Sequence, residues 1–290
     1  RCHHRKSSRR RLNTSVIRAG VSSRQDGPPR SNESTVPAEH VHTRGHAPRP
    51  LLFISDLHLS PHIPRTVAAF EHFILMTADS ADSVFVLGDL FEYWIGDDML
   101  RVDPFAARIA EVLHTLSERG IALYIMHGNR DFLLGKRFMR AAGAIWLPDP
   151  FVMTAFGARI VLAHGDALCT ADHKYQTFRR LARWRAAQLL FLAWPLRWRQ
   201  ALAERMRVSS EAGRTRPPSP LYDVTTKGVA ALFKASGTTT MIHGHTHKPA
   251  CHQGREGTRW VLPDWDLDHG ARRGGYLRVD AEGIRALPLD

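Results

Sequence analysis

Cysteine is scarce in this chain. Its 290 residues hold three, Cys2, Cys169 and Cys251, odd in number and far apart. No disulfide framework follows, and a reducing compartment is the default expectation. Long apolar runs are missing as well. The longest, Ala186 to Trp194, is broken by Gln188 and is far too short to span a bilayer. There is no internal repeat. Acidic residues are few beside basic ones, 28 against 40, for a net charge of +12. That excess is unevenly placed: residues 1–50 carry +8 and residues 173–216 carry +9, which leaves −5 for the remainder. A general nucleic-acid binder would build its basic face into the fold, so a mildly acidic body with two basic appendages argues against a nucleic-acid partner. Anionic lipid surfaces are the other natural partner of clustered Lys and Arg.

Residues 1–49 have many Ser, Arg and His, a Gly27-Pro28-Pro29 break and almost no periodic apolar pattern. Such a segment cannot bury enough surface to offset its ordering entropy, and it is read as a basic, disordered extension. From Leu51 onward the chain alternates strands and helices. Pro64 to Ala78 and Pro104 to Arg119 have helical apolar spacing with Pro in the first turn, and Gly120 stops the second. Helix-sized connections between buried strands imply parallel pairs covered by helices. Near the end, strand candidates at 250–253, 259–262, 276–279 and 284–287 are separated by short turns, which predicts a second, more antiparallel sheet.

Five short apolar runs carry the chemistry, because each ends in a metal-ligand residue. Leu51–Ser55 runs into Asp56-Leu57-His58, Val84–Leu87 into Gly88-Asp89, and Ile121–Met126 into His127-Gly128-Asn129-Arg130-Asp131. Ile160–Ala163 runs into His164-Gly165-Asp166, and Thr240–Ile242 into His243-Gly244-His245-Thr246-His247. Short continuous apolar runs read as buried strands, and ligands collect at the carboxyl ends of such strands. Any one pair is weak evidence, since Gly-Asp is commonly a plain turn. Their joint occurrence after five strands is strong. Mixed N and O donors without Cys suit catalytic Mn, Fe or Zn better than structural zinc. Two carboxylates, an amide and four imidazoles can fill two cation sites about 3.5–4 Å apart with one carboxylate shared. Asp131 and Asp166 read as braces for neighbouring groups, His127 and His243 equally as ligand-supporting or core histidines, and Asp97-Asp98 as an exposed acidic loop.

The order D-x-H, G-D, G-N-x-D, H-G-D, G-H-x-H resembles the calcineurin-like metallophosphoesterase superfamily. The longer blocks Gly88–Glu92, Trp94–Asp98, His127–Phe138 and His164–Thr170 are similar to its branch that cleaves a nucleotide-linked diacylglucosamine in bacterial lipid A biosynthesis, and the likeness covers about residues 51–290. It implies a four-layer α/β/β/α sandwich of two mixed sheets with a helical cap insertion. It implies hydrolysis of the diphosphate of UDP-2,3-diacylglucosamine to UMP and 2,3-diacylglucosamine 1-phosphate, with two Mn²⁺ per subunit activating the attacking water. By motif position, Asp56, His58, Asp89 and His247 hold one cation, and Asp89, Asn129, His164 and His245 the other. Asn129, Arg130 and His245 serve catalysis and meet substrate. Asp172, Ser209 and Arg216 contact it further out. The enzyme is expected to be cytoplasmic, peripheral on the inner face of the bacterial inner membrane.

Two features bear on that reading from the residues themselves. Arg130 stands where many relatives have a His able to protonate an alkoxide. Arg cannot donate a proton at neutral pH, but its fork neutralises phosphate oxygens, which fits a phosphate leaving group, second pKa about 6, better than an alkyl ester. Residues 173–216 thread Tyr175, Phe178, Leu181, Trp184, Leu189–Leu192, Trp194, Leu196 and Trp198 with Arg179, Arg180, Arg183, Arg185, Arg197 and Arg199, and Pro195 divides two helical stretches. A basic amphipathic pair reads as a lipid-binding cap or membrane-surface element. Another dinuclear phosphoesterase, acting on a nucleotide or phosphodiester, needs no such insert. A non-catalytic membrane adaptor leaves the ordered ligand set without a purpose.

Overall fold

The computed structural model describes residues 38–40, 49–214 and 223–289. The first half runs β1 (Ala38–His40), β2 (Leu51–Ile54), α1 (Pro64–Leu75), β3 (Ser83–Leu87), α2 (Met99–Val102), α3 (Pro104–Glu118), β4 (Ala122–Met126), α4 (Lys136–Ala141), β5 (Ala144–Leu147), β6 (Phe151–Ala155) and β7 (Ala158–Ala163). It continues through α5 (His173–Ala182), α6 (Arg185–Leu192), α7 (Leu196–Arg214), α8 (Thr226–Ser236), β8 (Thr240–His243), β9 (Ala250–Gln253), β10 (Thr258–Val261), β11 (Tyr276–Asp280) and β12 (Gly283–Leu287). Two six-stranded mixed sheets result, ordered β1-β6-β7-β8-β10-β9 and β12-β11-β2-β3-β4-β5.

The continuous apolar runs follow from a sheet buried on both faces. Side chains alternate across each strand, so Leu52, Ile54, Val84, Val86, Leu123 and Ile125 enter the cluster that includes helix residues Phe70, Ile109 and Leu113. Their neighbours Leu51, Phe53, Phe85, Leu87 and Met126 meet Met153, Ile160, Leu162 and Ile242 of the other sheet. A third cluster, with Val161, Met241 and Phe233, lies between that second sheet and α8. Three apolar interfaces make four layers, α/β/β/α, as the sequence implied. The helix starts are written locally. Asp103 accepts a hydrogen bond from Phe105 N at 2.9 Å with Pro104 in the first turn, and Thr225 accepts one from Gly228 N at 3.0 Å.

Three readings change. The late strands do not form a sheet of their own: β9 and β10 extend the sheet of β8, whereas β11 and β12 extend that of β2. Within the segment read as a disordered extension, Ala38–His40 pair in parallel with Val152–Thr154, and 1–37 and 41–48 lie outside the described residues. The insert after β7 holds three helices rather than two, because the chain leaves helical geometry at Trp184 (ψ 123°) as well as around Pro195.

Candidate active site

The five ligand-bearing runs are β2, β3 and β4 of one sheet and β7 and β8 of the other, so the site lies where two sheets share a rim. Backbone geometry marks the place. Among the described residues, the non-glycine positions with positive φ are Asp56 (54°), His58 (48°), Asp89 (52°), His245 (70°), His247 (54°) and, away from the site, Phe156 (48°). Each such conformation costs about 1–3 kcal/mol for a residue with a side chain and persists only where its surroundings enforce it. Here the turn swings each side chain off its strand end toward the rim. Two glycines admit the approach: a side-chain carbon at Gly128 would overlap the Asp89 carboxylate, and one at Gly244 would overlap Asp56 and Ser55.

The donors fall into two groups, Asp56, His58 and His247, and Asp89, His164 and His245, with the ligand atoms of each group within 4.8 Å of one another. Asn129 joins the second group, its Oδ1 lying 2.9 Å from both His164 Nε2 and His245 Nδ1. Asp89 Oδ2 lies 3.9 Å from His58 Nε2 and 3.8 Å from His164 Nε2, between the groups. All seven predicted ligands are thus brought together. Asp56 Oδ1 is buried and faces His247 Nε2 at 3.5 Å, while Oδ2 accepts from Ser55 Oγ at 2.5 Å and His245 N at 2.8 Å. A buried carboxylate oxygen held loosely against an imidazole nitrogen is a donor pair that a divalent cation can bridge. The residues fit the metals.

Electrostatics agree. Burial opposes charge on Asp56, but the hydrogen bond and charge of His247, with His164 and His58, hold it well below the usual carboxylate range. Burial pushes Asp89 up to about 7 despite the pull of His164. Burial also opposes charge on His164 and His247, yet neighbouring carboxylates, Asp89 foremost for His164 and Asp264 with Asp56 for His247, raise them to about 9 and about 10. His245, buried beside His164, falls to about 3 and is neutral. At neutral pH the metal-free site therefore holds protons on His164 and His247 that a cation must displace. Divalent-metal affinity should rise steeply with pH below about 9, up to tenfold per unit for each proton released. Calorimetric titration at pH 6.5 and 8 in buffers of different ionisation heat measures it; equal affinity and no proton release would contradict these protonation states.

Several residues that the sequence reading passed over hold the ligands in place. Glu92 Oε2 lies 3.5 Å from His58 Nδ1 and Oε1 lies 3.4 Å from Arg130 Nη1. Asp264 Oδ2 lies 3.4 Å from His247 Nδ1. Outer carboxylates of this kind fix ring orientation and raise ligand basicity. The signal for Asp264 was present, since it follows Val261-Leu262-Pro263, another strand end running into an acid. Asp131, already read from the sequence as a brace, accepts from Gly128 N and Leu90 N, both at 2.8 Å, and ties the two ligand loops together. Arg130 N donates to Asp89 Oδ1 at 2.8 Å. His164 Nδ1 lies 2.9 Å from Leu87 O, and His127 Nε2 lies 2.8 Å from Leu134 O.

Asp166 gathers the root of the insert: Tyr175 Oη and Arg179 Nε each donate to its Oδ2 at 2.7 Å, and Arg183 Nη2 at 3.4 Å. Arg183 also donates to Gly128 O at 3.1 Å, beside Asn129. The Asp97-Asp98 reading is corrected. Asp97 accepts from Gly135 N and Arg137 N at 2.8 Å and from Trp94 Nε1 at 3.1 Å, holding the start of α4. Asp98 pairs with Arg199 of α7, which is 3% exposed and also donates to Ile95 O and Trp194 O. Of the outer residues predicted to meet substrate, Asp172 caps α5 by accepting from Tyr175 N at 2.9 Å. The Ser209 side chain and Arg216 lie outside the described residues.

The calcineurin-like phosphoesterase family signature matches residues 49–249, and the chain belongs to that family. Within it, several curated relatives carry one name. The "UDP-2,3-diacylglucosamine hydrolase" of Ralstonia nicotianae is 51% identical over 83% of this chain and 92% of its own. Proteins of the same name from Aeromonas hydrophila and Stutzerimonas stutzeri are 44% and 41% identical, over 74% and 82% of this chain and 90% and 98% of theirs.

Proposed function

We propose that this chain is a dinuclear hydrolase that cleaves the diphosphate of UDP-2,3-diacylglucosamine to UMP and 2,3-diacylglucosamine 1-phosphate. The observation that carries the reading is the juxtaposition of two cation-ready donor groups with a root-anchored, apolar helical insert, in a chain 51% identical to a protein named for that substrate. Asp56, His58, Asp89 and His247 would hold one Mn²⁺, and Asp89, Asn129, His164 and His245 a second. Bound there, the cations supply Lewis acidity that activates water and spreads charge from phosphorus. Arg130, steadied by Glu92, would meet the phosphate oxygens, and its fixed charge suits a phosphate leaving group that needs no proton. Asn129 and His245 would orient the same group, with Asp172, Ser209 and Arg216 reaching the sugar. A simpler nucleotide or phosphodiester substrate would leave the insert without use.

That insert supplies the lipid half. Leu181, Trp184, Leu189, Leu190, Trp194 and Trp198 are all at least half exposed, beside exposed Arg180, Arg185 and Arg197. Such a surface suits acyl chains and anionic headgroups together, and would seat the protein peripherally on the cytoplasmic face of the inner membrane. Among the described residues no helix is long and apolar enough to cross a membrane. Sedimentation with phosphatidylglycerol vesicles tests the membrane reading; failure to bind them at low salt would remove it.

The activity test is turnover of UDP-2,3-diacylglucosamine by purified protein with Mn²⁺, lost on chelation and regained on adding metal. Hydrolysis in ¹⁸O-water should label UMP, placing attack on the uridine-linked phosphorus. Robust cleavage of simple phosphomonoesters with none of the lipid would sink the proposal. Replacing Trp184 and Leu192 by Gln should raise KM for a long-chain substrate far more than for a short-chain analogue, since burial contributes about 0.8 kcal/mol per methylene. Equal loss on both substrates, with the variant folded, would make these residues packing instead.

A further inference from the structure

A substrate with two unlike arms needs two seats, and only the lipid arm has one so far. The insert is rooted at the β6–β7 side of its sheet, where Arg179 reaches Asp149 at 3.1 Å and Asp166 at 2.7 Å. Along the strand order β6-β7-β8-β10-β9, the ligand turn His245-Thr246-His247 follows β8. Beyond it, on the β10–β9 side and away from the root of the insert, the surface sinks into a hollow of about 210 Å³ lined by Thr246, Lys248, His252, Arg259 and Asp223. Thr246 is the chain neighbour of two donor histidines, so the hollow shares the turn that carries them.

The lining has an uncommon mixture of chemistry for so small a space. Lys248 Nζ lies 2.6 Å from Asp223 Oδ2, and Arg259 donates through Nη1 to His243 Nε2 at 3.0 Å. His243 is fully buried, and its Nδ1 lies 2.8 Å from Gly244 O, so both ring nitrogens are engaged and Arg259 is fixed from behind. The guanidinium has further N–H groups to offer. A seat for a bare anion would hold cations alone. Asp223 Oδ1 already accepts from Val224 N at 2.8 Å, and the remaining lone pairs of this carboxylate, set among cationic donors, match an uncharged group carrying both N–H or O–H donors and carbonyl acceptors. A ribosyl pyrimidine is such a group: its imide donates between two carbonyl acceptors, and its sugar hydroxyls donate to a carboxylate as ribose commonly does to Asp. The volume lies below the usual range for a whole drug-sized ligand, about 300–1,000 Å³, and suits one arm of a longer substrate.

We infer that the hollow between Thr246, Asp223, His252 and Arg259 is the nucleoside seat, so that the substrate lies across the rim with its lipid under the insert and its uridine beyond β8. This rests on the reading of the chain as a hydrolase of a nucleotide-linked lipid. Asp223→Ala and His252→Ala test it at positions on the exposed or half-exposed lip. Inhibition by UMP should weaken about tenfold or more in each, as expected for loss of a polar contact to a charged or strongly polar group, with KM rising in parallel. Inhibition by 2,3-diacylglucosamine 1-phosphate should keep its wild-type constant. An unchanged UMP constant in both variants would overturn the inference. So would equal weakening against both products, which means general damage, or equal weakening against orthophosphate, which means that only charge is read. If the wild-type protein turns over no lipid substrate, the functional reading fails by itself. Calorimetry with UMP then decides the hollow separately: binding that the two variants weaken keeps it, and no binding removes it.

Discussion

Asp89→Ala should lower turnover by roughly a thousandfold while the protein still folds, because several kcal/mol of charge stabilisation depend on the pair of cations that its carboxylate would hold together. The side chain is 2% exposed and sits between His58 and His164, within 4 Å of a ring nitrogen of each. Metal analysis of the purified variant should show the loss of at least one cation. Unchanged activity with both metals retained would refute the shared-ligand arrangement. His58→Ala should be milder, since it thins only one donor group, and excess Mn²⁺ should partly restore it.

The contrast between these residues and their neighbours explains how much was legible beforehand. A strand buried on both faces writes a continuous apolar run, and a ligand stands out within three residues of its end. Asp56, Asp89, Asn129, His164 and His245 could therefore be placed without coordinates. Glu92 and Asp97 could not. Their partners, His58 and the start of α4, lie far enough along the chain that only tertiary proximity pairs them. The late strands were found but misassigned, because alternation fixes which face a residue occupies and is silent about which neighbour the strand edge meets. β11 lies against β2, more than two hundred residues away. The insert's composition was plain, whereas its clasps were hidden, since Arg199 has the same letter as the exposed Arg197 two residues earlier.

Asp98→Ala should be the most damaging change outside the ligands. It leaves the Arg199 guanidinium buried with only backbone carbonyls, and because the Asp98 side chain is itself 38% exposed the cost falls below the about 3–5 kcal/mol typical of a fully buried pair that loses one partner. The damage should be local: faster amide exchange in α6 and the first turns of α7, and a higher KM for long-chain substrate, with the metal content kept. The double change Asp98→Leu with Arg199→Met should recover much of the loss, because an apolar pair of similar bulk removes the unpaired charge. A single variant whose melting and exchange match the wild type would show that the pair is an incidental contact.

Arg199 and Asp166 together give the insert an unusual mechanical standing. It is made fast at its root by Asp166 and at its far side by Asp98, and Ala203, Phe191 and Leu196 rest on the body's apolar cluster. A span moored on both banks has no free end to swing, unlike a flap on one hinge. On the proposed function, a lipid seated beneath it would have to enter edgeways, between the moorings. For acyl tails that start in a bilayer, that would be a sideways slide with the tails still sheltered, rather than a leap through water.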